Sequence, residues 1–270
     1  MTASNSAYVH GYSRLEERRL LDQAGTLSEL LHQDTRYPTG CSVLEAGCGV
    51  GAQTVILAKA SREAHFTSID ISSESLAAAA AGVRAENISN VQFLQADIGH
   101  LPFDAASFDH VFLCFVLEHL TDPGAALKEL RRVLRLGGTL TAIEGDHGSA
   151  YFYPHSEAAQ RTIDCLIELQ ARIGGNAEIG RQLYPLLRHA GFGEVSVDPR
   201  VVYADSSRPE WVEGFTNATF VAMVKGVKAQ ALGAALISES AWDEGIAELE
   251  RSAGVDGTFN YTFFKAVAYR

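Results

Sequence analysis

The 270-residue chain contains little cysteine, methionine, tryptophan or proline, with four, two, two and seven of them respectively. The four cysteines are scattered and form no C-x-x-C pair, which argues against structural zinc and a disulfide framework and favours a reducing cytosol. No apolar run is long enough to span a membrane. The polar start, Met1 to Ser6, lacks the basic and apolar regions of a secretory signal. We therefore expect a cytoplasmic protein without a membrane partner or a bound metal.

Basic residues are also scarce, because 22 Lys and Arg stand against 33 Asp and Glu, giving a net charge of -11. An acidic surface repels polyphosphate, so we expect no nucleic-acid partner. The length is sufficient for one large α/β domain with a full core.

Glycine is concentrated in one informative segment, Val43 to Gly51, which reads VLEAGCGVG. Apolar residues and an acid precede three alternating glycines, and an amphipathic segment follows. A strand that ends in a glycine turn and opens a helix leaves helix-terminal N–H groups facing a ligand. The glycines let the backbone approach that ligand closely. This segment predicts a site for a nucleotide-like ligand.

Strand and helix signals alternate around this loop, which predicts βαβ units, a parallel sheet and a ligand at the carboxyl ends of its strands. The predicted strands are Ser42–Ala46, His65–Ile69, Val91–Ala96, Phe108–Phe112 and Thr139–Glu144. The predicted helices are Ala52–Ser61, Ser73–Glu86 and Pro123–Leu136, the last stopped by Gly137 and Gly138.

Two further regions flank this alternation. A capping box at Ser13 to Glu16 predicts a helix to about His32, so we interpret residues 1–40 as a helical lid segment. After Gly145 the pattern loosens into helices and two late strands. The later elements are helices His155–Ile173 and Ile179–Ala190 and strands Glu194–Tyr203 and Thr258–Tyr269. Residues 41–270 then form the main domain, with a cofactor-binding core at 41–145 and helical cap insertions at 146–178 and 203–256.

The glycines alone do not identify the ligand, because Gly47-x-Gly49-x-x-Ala52 also satisfies a relaxed dinucleotide fingerprint. Asp70 would accept from ribose hydroxyls in NAD and in S-adenosylmethionine alike. Other positions favour S-adenosylmethionine. Glu45 stands where an amino acid's ammonium group could be met, and Asp97 with Ile98 could bind adenine.

Later motifs decide the family. They are Leu101-Pro102-Phe103, Ser107-Phe108-Asp109, Leu117-Glu118-His119-Leu120 and Leu134-x-x-Gly137-Gly138. With this ordered set from Val43 to Gly145, the chain resembles a class I S-adenosylmethionine-dependent methyltransferase. It is similar to the small-molecule branch that includes ubiquinone and menaquinone biosynthesis methyltransferases. The resemblance implies a Rossmann-like, seven-stranded, mostly parallel sheet whose last strand, Thr258–Tyr269, is antiparallel.

The resemblance also implies a cofactor site. The methionine part would lie against Glu45 and the loop of Gly47, Cys48 and Gly49. The ribose would lie at Asp70 and Ile71, the adenine at Asp97 and Ile98, and the transferred methyl near Phe115. Alternatively, Glu45 is a solvated strand end and Asp97 is a helix cap.

Methyl transfer requires mainly that the acceptor be aligned with the S–CH₃ bond, so no catalytic side chain is obligatory. His147 is the best candidate for a general base, oriented by the carboxylates of Glu144 and Asp146. Alternatively, His147 is a loop histidine bonded to backbone, and Glu144 and Asp146 bind a cationic substrate amine. Tyr8 and Tyr12 could direct a ring or a hydroxyl at the sulfonium, Tyr8 as a cofactor contact and Tyr12 as a catalytic group. Packing against the sheet edge is the alternative for both.

Aromatic residues in the cap, including Tyr151 and Tyr203, favour an apolar or aromatic substrate, with Asn176 as a polar contact. A homodimer is possible, because such caps often form dimer contacts. An NAD-linked oxidoreductase is the alternative enzyme class and would need a catalytic Tyr-x-x-x-Lys pair; the one such spacing, Tyr261 to Lys265, falls within the predicted last strand. A nucleic-acid or protein methyltransferase is disfavoured because Cys114-Phe115-Val116-Leu117 stands where an Asp/Asn-Pro-Pro-Tyr loop would be. A non-catalytic S-adenosylmethionine-binding protein stays open.

Overall fold

The computed structural model describes residues 14–270, with side chains from Arg19 onward, and is organised around one sheet of seven strands. The strands are β1 (Ser42–Ala46), β2 (His65–Asp70), β3 (Val91–Gln95), β4 (Phe108–Cys114), β5 (Leu134–Tyr153), β6 (Val195–Asp205) and β7 (Thr258–Tyr269). Their order across the sheet is β3-β2-β1-β4-β5-β7-β6.

The first five strands are parallel, and β7 runs antiparallel to both of its neighbours, β5 and β6. The predicted fold class is therefore confirmed. The order reverses at β1, where the chain first builds outward to β3 and then returns to β4. Ligands of open α/β sheets bind at such a switch point.

Helices cover both faces of the sheet. They are α1 (Arg14–His32), α2 (Ala52–Ala60), α3 (Ser73–Ala85), α4 (Pro123–Val133), α5 (Glu157–Arg172), α6 (Leu183–His189), α7 (Pro209–Trp211), α8 (Ala222–Gly226), α9 (Lys228–Gly233) and α10 (Glu239–Glu250). Short 3₁₀ turns span Leu117–His119, Ile179–Gln182 and Arg251–Ala253, and a π-helix spans Val212–Val221. No helix within residues 14–270 is long and apolar enough to cross a membrane.

Alternate residues of the central strands enter two separate cores, as the pleat requires. Val43 and Phe112 pack on the side of α1, α2, α5 and the helices after β6. Leu44 and Val111 pack on the side of α4 and α6. The central strands are thus buried on both faces, which explains their continuous apolar sequence.

The predicted end of the helix that begins at Pro123 is wrong. The helix expected to run from Pro123 to Leu136 ends at Val133, and β5 begins at Leu134. Leu134 already pairs with Phe108 of β4, and the pairing then shifts register before it resumes at Thr139. An apolar and basic sequence continues through this point, so helical periodicity did not reveal the irregular pairing.

The predicted strand Thr139–Glu144 is also far too short, since β5 extends to Tyr153. Antiparallel pairing with β7 holds this extension, with Tyr151 opposite Asn260 and Tyr153 opposite Thr258. The first part of the predicted cap at 146–178 is therefore sheet. The rest contains α5, which packs against α10.

Candidate active site

A cavity of about 690 Å³ opens at the carboxyl ends of β1, β2 and β4, beside the switch in strand order. This volume lies in the usual range for small-molecule and cofactor sites. Its walls also include Arg19, Leu20 and Gln23 of α1, residues of the π-helix, and Tyr261 and Phe263 of β7. Elements distant in sequence thus enclose the edge at which a ligand was predicted.

The glycine loop forms one end of the cavity. Gly47, Gly49 and Gly51 all have positive φ, at 74°, 52° and 81°. A Cβ at Gly47 would lie 2.6 Å from a methyl group of Val116, whereas one at Gly49 would point into open space. Helix α2 follows Gly51 without a side-chain cap, so its first N–H groups stay available to a ligand. The predicted strand–turn–helix geometry is present.

Asp70 ends β2 and lines the cavity beside this loop. One carboxylate oxygen accepts from the Gly49 N–H at 2.8 Å and the other accepts from the Ser72 N–H at 2.9 Å. A carboxylate offers about four lone-pair positions, so two remain after these bonds. Asp70 therefore both fixes the glycine loop and retains the capacity to accept from two hydroxyl groups.

Asp97 and Ile98 line the next part of the cavity, as does Ile71. Asp97 Oδ1 accepts from the Gly99 N–H at 2.8 Å, so the side chain caps its own turn. The second oxygen is available to a ligand amine. Asp97 thus caps a turn and not the helix that was the alternative expectation, and its role as a ligand group stays a prediction.

The opposite end of the cavity is aromatic. Phe115, which lines it, has a φ of +59°, a conformation that non-glycine residues rarely adopt and that is often found at functional sites. Its ring packs against Phe263 at 5.4 Å. The π-helix adds Phe215, Thr219 and Phe220 to the wall. An extra residue per turn is a common feature of helices at binding sites.

His147 lies in this aromatic end, 5% exposed, on the β5 extension. Its backbone N–H donates to Ala177 O, and its ring Nδ1 is 2.7 Å from the Tyr261 hydroxyl. Burial lowers the pKa of His147 below its usual 6.5. The ring is therefore neutral near pH 7 and is oriented by a tyrosine.

The two carboxylates expected to orient His147 have other partners. Asp146 accepts two bonds from Arg181, at 2.7 Å and 2.6 Å. Glu144 is fully buried and accepts from the Val116 and Leu117 N–H groups, at 3.0 Å and 2.8 Å. Burial, with the nearby Glu118 charge, raises the pKa of Glu144 well above its usual value. Glu144 supports the cavity wall from behind and does not line the cavity, so its predicted contact with substrate is not seen.

Glu45 likewise lies behind the loop, 2% exposed, and does not line the cavity. Its Oε2 accepts from the hydroxyls of Thr54 and Ser68, at 2.7 Å and 2.6 Å, which joins β1 to α2 and β2. Its Oε1 is buried without a hydrogen-bond partner. Burial raises the pKa of Glu45 to about 7. The nearby Cys48 does line the cavity, and burial raises the pKa of its thiol, which disfavours the reactive thiolate.

Tyr151 and Tyr203, predicted to bind substrate, lie outside the cavity and are 78% and 44% exposed. Both pair with Asn260, and the pleat places them on the face opposite to Tyr261. Asn176 also does not line the cavity. Its amide oxygen accepts from the Glu178 N–H and so forms a turn. Tyr8 and Tyr12 lie outside the described residues.

Glu118, His119 and Tyr261 line the cavity although the sequence did not point to them as site residues. Glu118 accepts from the side-chain amide of Gln170 at 3.1 Å. Glu118 and His119 could have been predicted as site residues, because they follow the carboxyl end of β4. Tyr261 could not, since its partner His147 is 114 residues away. Within the described residues, no cluster of three His, Cys, Asp or Glu side chains could hold a metal ion.

Comparison with known proteins agrees with this geometry. Residues 44–142 match a family model described as a methyltransferase domain. An uncharacterised 37.1 kDa protein in transposon TN4556 of Streptomyces fradiae is 34% identical over 224 residues, covering 82% of this chain and 64% of that protein. A demethylmenaquinone methyltransferase of Lactococcus lactis is 34% identical over 116 residues, covering 43% of this chain and 46% of that protein. The chain thus spans less than two thirds of the length of these relatives.

Solved structures share the fold at low identity. A putative methyltransferase of Bacillus halodurans has a TM-score of 0.58 at 15% identity, covering 91% of this chain and 97% of that one. The [4+2]-cyclase SpnF has a TM-score of 0.55 at 21% identity, covering 98% of this chain and 85% of that one. The chain therefore matches a methyltransferase domain over residues 44–142, and it shares its fold with these structures over most of its length.

Proposed function

We propose that this protein transfers the methyl group of S-adenosylmethionine to a small, apolar or aromatic acceptor molecule. The observation that carries the proposal is a single cavity with two unlike ends. Asp70, Asp97 and the glycine loop form a polar end suited to a nucleoside. Phe115, Phe215 and Phe220 form an aromatic end suited to an acceptor.

The polar end fits the cofactor on four counts. Gly49 leaves open space where a Cβ would stand, so a ligand can approach the backbone. Asp70 retains two accepting positions beside that space, which suits the two ribose hydroxyls. Asp97 and Ile98 offer a carboxylate oxygen and an apolar contact for an amino-substituted ring. The first N–H groups of α2 suit the carboxylate of a methionine part.

S-adenosylmethionine, when bound, supplies an electrophilic methyl group on a positively charged sulfur. The chain's own contribution is to exclude water and to hold the acceptor in line, which can supply about 7–11 kcal/mol in favourable cases. The aromatic faces of Phe115 and Phe220 favour both an apolar acceptor and a neighbouring cation. His147 is the polar group of this end that we propose contacts the acceptor.

Other findings support a small-molecule acceptor in a reducing compartment. One relative is named for methylation of demethylmenaquinone, which is a small molecule. The net charge of -11 opposes a nucleic-acid substrate. All four cysteines are free and buried, as in proteins of the cytoplasm.

The cofactor assignment predicts that Asp70→Ala abolishes measurable S-adenosylmethionine binding, because ribose hydroxyls lose their charged acceptor and the loop loses its brace. Isothermal titration calorimetry measures this directly. Asp205→Ala is the matched control, because Asp205 also accepts from a backbone N–H two residues later, at 2.9 Å, and does not line the cavity. Equal affinity in Asp70→Ala and wild type would refute the ribose assignment.

A further inference from the structure

A buried hydrogen bond joins His147 and Tyr261 at the wall of the cavity. Tyr261 is 2% exposed, its ring packs against Phe215, Phe220 and Phe263, and it lines the cavity together with His147. The Tyr261 hydroxyl engages Nδ1 of His147 at 2.7 Å. Nε2 is therefore the ring nitrogen that His147 can offer to a ligand in the cavity.

The direction of this hydrogen bond follows from the chemistry of the two groups. A phenol O–H is a stronger donor than an imidazole N–H, and an imidazole nitrogen is a stronger acceptor than a phenol oxygen. Tyr261 thus donates and His147 Nδ1 accepts. A neutral imidazole that accepts at Nδ1 carries its proton on Nε2.

The surroundings keep both groups neutral. Burial raises the pKa of Tyr261 well above its usual value, and burial lowers the pKa of His147. Charged groups of both signs face His147, and they are Glu118 and His119 of the 3₁₀ turn, Asp146 of β5 and Arg19 of α1. Asp146 is itself paired with Arg181.

We infer that Tyr261 is a positioning residue that holds His147 as a neutral N–H donor, so that the site recognises its acceptor through an oxygen lone pair. Such an oxygen is a carbonyl or an ionised hydroxyl next to the atom that is methylated. His147 then does not act as the general base predicted from the sequence, because Nε2 already carries a proton. The inference rests on the proposed function only in taking the aromatic end as the acceptor site.

The tautomer can be observed in the full-length protein without any substrate. Long-range ¹H–¹⁵N correlation spectra report which imidazole nitrogen is protonated, and the signals of His147 among nine histidines are those lost in His147→Gln. We expect a protonated Nε2 and an unprotonated Nδ1 at neutral pH. Tyr261→Phe keeps the ring and removes the hydroxyl, and it should give a mixture of both tautomers. Tyr37→Phe, which removes another buried hydroxyl outside the cavity, should leave the His147 signals unchanged.

A phenol probe tests the donor role separately. We would titrate p-nitrophenol into protein saturated with S-adenosylhomocysteine and follow the phenolate absorption band. Loss of the donated hydrogen bond should weaken phenolate binding about five- to tenfold in His147→Ala. The mixed tautomers of Tyr261→Phe should weaken it about twofold, because only part of the population then carries the proton on Nε2. His147→Gln should keep most of the affinity, because its amide donates an N–H and cannot take up a proton. The His147 spectrum should stay that of a neutral ring when the probe binds.

An Nδ1-protonated ring in the wild type, or an imidazolium signal on phenolate binding, would overturn the inference in favour of a general base. So would His147→Gln weakening the probe as much as His147→Ala. These results are separable from failure of the proposed function, because S-adenosylmethionine affinity is measured independently by calorimetry.

Discussion

At the scale of residues, buried carboxyl groups set the character of this site. Glu45 and Glu144 lie directly behind the cavity wall, and each has one buried oxygen without a hydrogen-bond partner. Burial raises the pKa of both groups. The raised pKa values reduce the negative charge that these two carboxyls place behind the glycine loop and the β4–α4 connection.

Glu45→Gln should change how stability depends on pH. The pKa of Glu45 is about 7 in the folded chain, above its ordinary 4.5, so the native state binds more protons between these values. Its contribution to the free energy of unfolding is therefore full below about pH 4.5 and is lost as pH rises through about 7. Relative to wild type, Glu45→Gln should raise the free energy of unfolding by up to about 3 kcal/mol at pH 8 and by little at pH 5.

Urea unfolding of the cofactor-free protein at these two pH values measures that gain. Glu86→Gln serves as the control, because Glu86 is an exposed glutamate paired with Lys59. A Glu45→Gln gain that is the same at both pH values would show that the wild-type carboxyl is ionised throughout.

At the scale of elements, hydrogen bonds from β7 hold the end of α1, the helix that forms one side of the cavity. Lys265 of β7 is 4% exposed and donates to Leu31 O at 2.9 Å and to the Thr35 hydroxyl at 2.6 Å, and it also pairs with Asp34. Helix α1 supplies Arg19, Leu20 and Gln23 to the cavity. A buried cation on the last strand thus fixes the end of a helix that forms part of the site.

Lys265→Met should therefore lower the free energy of unfolding by about 2 kcal/mol, because a buried carbonyl and a buried hydroxyl lose their donor. Amide hydrogen exchange should also quicken at the carboxyl end of α1. The comparison is Lys225→Met, which removes an exposed ion pair with Glu250 and should cost less than about 0.5 kcal/mol. Equal losses in the two variants would contradict the anchoring role of Lys265.

The sequence predicted best those elements whose signals are local. The bounds of β1 and β7 agree with the structure, because strands buried against neighbours carry continuous or alternating apolar patterns. The long extension of β5 was missed, because pairing with β7 stabilises it across more than a hundred residues. Asp70 could be predicted as a site residue because the strand that it ends has a local signal. The position of Tyr261, and the face on which Tyr151 and Tyr203 lie, depend instead on the register between distant strands.

At the scale of the whole molecule, the residues of the site indicate the function more specifically than the fold does. The cyclase SpnF shares the fold over nearly the whole chain, so the fold by itself does not specify methyl transfer. Methyl transfer is proposed instead from one cavity that has a polar end and an aromatic end. We propose that a methyl group passes from the polar end to a molecule in the aromatic end.

The most direct measurement uses S-adenosylmethionine labelled on its methyl group, incubated with the protein and with separate small-molecule, RNA and protein fractions of the source cells. Asp70→Ala serves as the blank. We expect label in an apolar compound of the small-molecule fraction, which mass spectrometry would then identify. Label in RNA or protein, or no transfer to any fraction by a protein that binds the cofactor, would contradict the account.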